Sequence, residues 1–218
     1  MAELERIPLF PLGLILFPES QVPLHIFEER YKRLCAEAIA QGGTFGINFV
    51  EDSSMHSVGC TARISEVTKK YKDGELDIVT EGVRRYEIVK LEQSDPSELS
   101  YATVKWIDDI PELRDTELAR ETIELFNELC EVAYKGSVDP LDMSVWTDLD
   151  KLPSFAIAQK SGLTPEQRQS LLTIKSENER LAILKSHLQD LLPKVEEAEQ
   201  IHKLISNDGY LPNWNKKN

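Results

Sequence analysis

Apolar residues are arranged in two ways along this chain. Up to about residue 110 they fall in short runs cut by proline and glycine, several of them with a period of two. Beyond that point they recur every three or four residues. In the most distinctive run, 7–31, Pro8, Pro11, Pro18 and Pro23 each remove a backbone donor and fix φ. A regular central strand does not carry that pattern, because proline cannot donate to a ladder. The run predicts an irregular strand threading a β-rich lobe. Leu9, Phe10, Leu12, Leu14, Ile15, Leu16 and Phe17 would be buried, with Leu24, Ile26 and Phe27 closing the lobe.

Downstream, Tyr31, Leu34, Cys35, Ala38 and Ile39 keep helical spacing over 28–40, and Gly42-Gly43 ends the helix. Residues 44–50 read as a strand. Val58, Cys60, Ala62 and Ile64 then alternate with Gly59, Thr61, Arg63 and Ser65, as in a half-buried strand. A phase slip at Glu66-Val67 predicts a bulge, and Asp73-Gly74 predicts a hairpin. Gly82 reads as a positive-φ position between an arm carrying Leu76, Ile78 and Thr80 and a strand over 83–91. After a polar loop at 93–98, residues 101–107 form the last strand. The spacing suggests a small, partly closed barrel or sandwich.

Past Pro111 the pattern is helical. Ile123, Phe126, Leu129, Cys130 and Ala133 share a face over 120–134, with Asp115 or Thr116 as N-cap. A polar connection at 135–148 follows, then a helix at 153–161 with proline in its first turn and Gly162 at its end. Thr164 to Gln167 and Ser176 to Glu179 are capping boxes. The last helix, 177–205, carries Leu181, Leu184, Leu188, Leu191, Val195, Ala198 and Ile205 on one stripe, and would be about 43 Å long. Pro193 should bend or split it near Gln189. The stripe is read as intramolecular core. Oligomerisation, by pairing of this C-terminal helix with another chain, is the alternative. The polar tail 206–218, with Tyr210 and Trp214, should be loosely held. The expected division is an α+β chain with a β-rich lobe at 1–110 and a helical lobe at 111–218.

Composition narrows the function classes. A chain of 218 residues can bury roughly 70% of its unfolded surface. Its formal net charge of −13 repels phosphate backbones, which argues against nucleic acid and anionic membrane as partners. Cys35, Cys60 and Cys130 are odd in number and contain no closely spaced pair, so buried free thiols are expected rather than disulfides or a zinc cage. The first residues lack a basic n-region, and no run approaches the ~20 apolar residues of a membrane span. A cytoplasmic location is expected.

Catalytic templates fail in turn. There is no phosphate-cradling Gly-x-x-x-x-Gly-Lys-Ser/Thr, no Gly-x-Ser-x-Gly elbow and no His-Glu-x-x-His. His25, His56, His187 and His202 lack ligand spacing, and His25 reads as a half-buried structural residue. His56 and Cys60 are too little for a nucleophile, which needs a base in reach and an orienting third group. Arg84 and Arg85 beside Gly82 invite an anion-site reading, but strand neighbours point to opposite faces. One should pair with a carboxylate and the other face water. Glu196, Glu197 and Glu199 read as a solvated helix face. No catalytic, cofactor-binding or metal-ligating residue is assigned, no cofactor is expected, and no binding residue is singled out.

The string Pro8-Leu9-Phe10-Pro11-Leu12, then Leu16-Phe17-Pro18 and 23–31, resembles the opening of the Lon protease N-terminal domain. Phe45-Gly46-Ile47, 58–62, Ile64, Asp73-Gly74 and Gly82-Val83-Arg84-Arg85-Tyr86 are also similar to that family. So are Leu152-Pro153, 169–172 and Glu179-Arg180-Leu181, which brings the resemblance to 5–190. It implies a PUA-like pseudo-barrel followed by a helical bundle. It further implies a stand-alone, non-catalytic, ATP-independent recognition or adaptor module for polypeptide substrates with exposed apolar segments. Neither the ATPase motif nor the Ser-Lys dyad can be carried over to a chain ending at Asn218, so no enzyme activity is expected. A small-ligand-binding regulatory protein using a pocket of the β lobe is the alternative.

Overall fold

The computed structural model describes residues 4–92, 95, 98–143, 146 and 151–207. The elements run β1 (Leu4–Leu12), β2 (Gln21–Ile26), α1 (Glu29–Gln41), β3 (Phe45–Glu51), β4 (Ser54–Lys70), β5 (Leu76–Glu92) and β6 (Ser100–Trp106). They continue with α2 (Thr116–Leu129), a π-helical turn (Cys130–Tyr134), α3 (Pro153–Lys160), α4 (Pro165–Thr173) and α5 (Glu177–Asn207). The fold is mixed α+β. Parts of the expected 93–98 loop and 135–148 connection, and the tail with Tyr210 and Trp214, lie outside the described residues.

The six strands form one sheet in the order β2-β5-β4-β3-β1-β6, and β6 also pairs the second half of β5. The sheet thus folds back on itself as a pseudo-barrel. It is not a regular barrel, because β1 and β3 are parallel, β2 stands outside the ring, and bulges interrupt three of the ladders. The prolines of β1 fit an interior strand for a reason its sequence does not reveal. The ladders to β6 and β3 overlap only at Leu9. Among the described residues, Pro8 has β6 alone as its neighbour and Pro11 has β3 alone, so each has one side needing no donor. Pro23 sits on β2, an edge strand paired to β5 alone.

The closed sheet and α1 enclose two apolar cores. One core joins Phe10, Leu16, Ile26, Phe45, Ile47, Cys60, Ala62 and Ile78 to Tyr31, Leu34 and Cys35 of α1. The other gathers Ile7, Leu9, Tyr86, Ala102 and Val104. Val58 to Ala62 is consequently buried at every position, and the expected half-buried alternation holds only beyond it. Phe27, expected to close the lobe, is 59% exposed.

Helix α1 ends as expected, with Gly42 left-handed at φ 66 and its N–H on the Ala38 carbonyl. The hairpin at Asp73-Gly74 is present, with Gly74 at φ 86, and the slip near Glu66 appears as paired bulges. Ser65 and Thr68 donate their hydroxyls to the Val79 and Asp77 carbonyls there. β5, however, runs unbroken through Gly82, which is not a positive-φ position. A Cβ at Gly82 would lie 2.0 Å from the Phe17 carbonyl oxygen. Its own N–H and C=O bond Ser20 and Glu19. Glycine is needed there for close approach of two backbones, not for its dihedral freedom.

The chain divides into two compact units, Met1–Glu112 with Ala158–Ser176, and Leu113–Ile157 with Glu177–Asn218. Relative to a cut at residue 110, the segment 158–176 goes with the sheet. Its capping box is complete, with Thr164 and Gln167 bonding each other's backbone N–H. Gln169 donates to the Val58 carbonyl at 3.0 Å and Gln159 to that of Gln21 at 3.2 Å. In the second unit, Asp115 caps α2 by accepting from the Leu118 N–H. Ile123, Phe126 and Leu129 are buried in α2, which packs along α5. Pro193 does not split α5, which is continuous over 31 residues. Leu181, Leu184, Leu188 and Leu192 are buried, whereas Ile201, Leu204 and Ile205 are exposed, so the stripe is core only in its first half.

Candidate functional site

The polar residues singled out in the sequence hold the architecture. Buried Arg85 donates to the carbonyls of Leu172 at 2.9 Å and Ile174 at 2.6 Å, and pairs with Asp109. Arg84, on the opposite face, pairs with Asp108 at 2.8 Å and lies over the Trp106 ring. Neither arginine is left to water alone, because consecutive aspartates after β6 serve both faces.

Tyr86 fills the interior of the ring. Its hydroxyl donates to Asn48 Oδ1, and Asn48 Nδ2 donates to the His56 carbonyl at 3.0 Å. A Cβ on Gly46 or Gly59 would meet the Tyr86 hydroxyl oxygen at 2.2 or 2.7 Å. Burial pushes the phenol far above its ordinary range. The ring centre is therefore packed, and leaves no room for a ligand.

His56 is exposed and stacks on Phe49 at 5.2 Å. Cys60 is fully buried, and its thiol is pushed up to about 12, first by burial. A protonated, enclosed thiol cannot act as a nucleophile. His25 is roughly half exposed, clamped between Asp77 Oδ1 at 2.6 Å and Glu75 Oε2 at 3.1 Å. Tyr71 donates to the other oxygen of Asp77 at 2.8 Å. In the second unit, Glu177 accepts from the Ser154 N–H at 3.1 Å and hydroxyl at 2.5 Å, closing the N-terminus of α3. Fully buried Arg180 balances that carboxylate at 2.6 Å and lies over the Phe155 ring. Among the described residues, no group of three or more His, Cys, Asp or Glu is placed to hold a metal ion. No described helix is long and apolar enough to cross a membrane.

What remains open is a surface beside α1. β3 pairs β4 only as far as Ala62. Over 63–70, β4 is bonded to β5 on one side, and among the described residues no strand takes the other. Next to that edge lie two hollows. One, of about 310 Å³, is lined by Ala38, Ile39, Gly42, Gly43 and 63–67. The other, of about 570 Å³, has an apolar floor of Ala36, Ile39, Ala40 and Leu76 under a charged rim. Ile39 lines both and is 46% exposed. Its helical spacing marked it as core, because periodicity cannot tell a covered stripe from its uncovered margin. Only the end of the β3 ladder at Ala62 leaves this margin open.

Comparison with known proteins agrees with this architecture. The family model for the ATP-dependent protease La (LON) substrate-binding domain matches residues 6–190. Lon protease of Bacillus thuringiensis (strain Al Hakam) is 26% identical across 85% of this chain and 25% of its own length. Lon protease of Flavobacterium johnsoniae is 26% identical across 93% of this chain and 26% of its own. The chain therefore spans about a quarter of the length of the curated relatives it matches. Among solved structures, a Lon N-terminal domain protein from Xanthomonas campestris superposes with TM-score 0.63 at 27% identity, covering 84% of this chain and 98% of that one. The N-terminal domain of Mycobacterium avium complex Lon protease superposes at 0.59 with 23% identity, over 85% and 99%, and shares the fold.

Proposed function

Because the chain belongs to the LON substrate-binding domain family, we propose that it recognises polypeptides, without ATP and without covalent chemistry of its own. The binding surface is the open edge of β4 over 63–70 together with the two hollows that meet at Ile39. The observation that carries this reading is their adjacency. A strand edge offers unpaired backbone groups to an extended segment, and an apolar floor beside it takes alternate side chains. Unfolded polypeptides are the ligands that present both at once. The small-ligand alternative has less support, because Tyr86, Asn48 and Leu9 occupy the interior that such a ligand would need.

The test is binding of a reduced, alkylated unfolded protein, followed by fluorescence anisotropy against a folded acidic control of equal size. Saturable binding by the wild type, and at least about a tenfold loss in Ile39→Asp, is expected from placing a charge in an apolar contact. Binding no stronger than that of the control overturns the proposal.

A further inference from the structure

The rim of the larger hollow carries a charge pattern opposite to that of the chain. Its charged residues are Glu29, Lys32 and Arg33 from α1, Lys70 at the end of β4, and Asp73 in the hairpin. Lys32 is committed, with Nζ bonded to Glu29 Oε1 at 2.9 Å and to the Asp73 carbonyl at 3.2 Å. This joins α1 to the hairpin at one end of the hollow and satisfies Glu29. Asp73 accepts the Glu75 N–H through its own carboxylate at 3.2 Å. Arg33 and Lys70 are different. Both are exposed, and neither forms an ion pair with any described residue. Arg33 also borders Glu37 and Glu98 across a neighbouring hollow without pairing with either. In the smaller hollow the signs reverse. Arg63 is engaged by Glu81 at 2.8 Å, while Glu66 has no partner among the described residues.

We propose that this groove selects extended apolar segments with an acidic flank on one side, the flank lying between Arg33 and Lys70 while apolar side chains lie on Ile39, Ala36, Ala40 and Leu76. The proposal rests on the reading of this groove as the polypeptide site and specifies its substrate class. The argument is charge complementarity. With a formal charge of −13, the field of the whole protein favours basic peptides at long range. A preference for an acidic flank can come only from cations in contact with it. Glu66 repels a carboxylate at the other end of the groove, so one acidic flank is accepted and two are not.

Four labelled peptides share the core Val-Leu-Phe-Val-Leu and differ in one flank, a pair of glutamates or a pair of lysines, placed at the N-terminus or at the C-terminus. Affinities are measured with the whole chain at physiological ionic strength, where a Debye length of about 8 Å screens the overall field but not a contact. One glutamate-flanked peptide should bind about threefold to tenfold tighter than both lysine-flanked ones, the range expected for two exposed ion pairs. Which terminus carries the effective flank gives the direction of the bound segment. Arg33→Glu with Lys70→Glu should reverse the order, and Arg33→Gln with Lys70→Gln should abolish the preference, so that all four peptides bind alike. Equal binding of all four peptides, or a preference for lysine, overturns the selectivity and leaves polypeptide recognition standing. Failure of all four to bind, alongside failure of the unfolded protein, overturns both.

Discussion

Gly82 and Phe17 cross backbone against backbone. A Cβ on Gly82 would stand 2.0 Å from the Phe17 carbonyl oxygen and 2.8 Å from its carbonyl carbon. The contact ties the end of the proline-rich entry segment to the middle of β5. Nothing at that position can yield by rotating a side chain. Gly82→Ala should destabilise the protein by roughly 3 kcal/mol, at the upper end of overpacking effects, as read from the urea midpoint.

Tyr86 donates to Asn48 in the packed ring. Tyr86→Phe keeps the ring's shape and removes only the donor, leaving Asn48 Oδ1 buried without it. The expected loss is about 1–3 kcal/mol, measured by denaturant unfolding. A loss below about 0.5 kcal/mol would mean that the bond contributes little net stability.

Arg85 joins β5 to the carbonyls of Leu172 and Ile174 at the C-terminal end of α4 and to Asp109. Arg85→Met removes a buried cation and strands its carboxylate, at a cost of about 3–5 kcal/mol. Limited proteolysis should then cut within 160–176 well below the global unfolding midpoint. Unchanged cleavage would show that the segment is held by other contacts.

Between Asp77 and Glu75, His25 has its pKa raised, chiefly by the hydrogen bond to Asp77, and Asp77 has its own lowered by the same bond. The stabilisation from a raised imidazole is complete below its ordinary value of 6.5 and is lost as pH rises through the higher folded value. That from Asp77 is present above the usual carboxylate range and is lost as pH falls through the depressed value. The Tm difference between wild type and His25→Gln should therefore be largest between about pH 4 and 6.5 and shrink on either side. A difference constant from pH 4 to 9 would refute the pairing.

The thiols of Cys35, Cys60 and Cys130 are all buried and free, and burial pushes the first two up to about 11 and 12. Ellman's reagent should label none of them in native protein near neutral pH and all of them in denaturant. Fast labelling of Cys60 in the native state would mean that the ring opens readily.

Features decided within a few residues were readable in advance. The Gly42 cap, the Thr164–Gln167 box, the Asp115 N-cap and the Asp73-Gly74 hairpin depend on local dihedrals and neighbouring donors. The family resemblance was legible as well, through motif residues that turn out to be architectural. Arg85, Tyr86, Arg180 and Gly82 each meet a partner that the local pattern does not disclose. The groove was not legible. Ile39 has the periodicity of a core residue, and no local pattern in the sequence marks Arg33 or Lys70.

Local patterning and the proline-rich opening determined the kinds of element, their order and the family to which they belong, because propensity, capping and turn chemistry act over a few bonds. The tertiary structure decided which faces of those elements are covered. Closure of β6 onto β5 went with burial of β4 on both sides from Val58 to Ala62 and filled the ring with Tyr86, while the end of the β3 ladder left 63–70 with an edge that no described strand takes. Burial depends on which distant segments meet, and chain-local chemistry does not specify where a ladder stops.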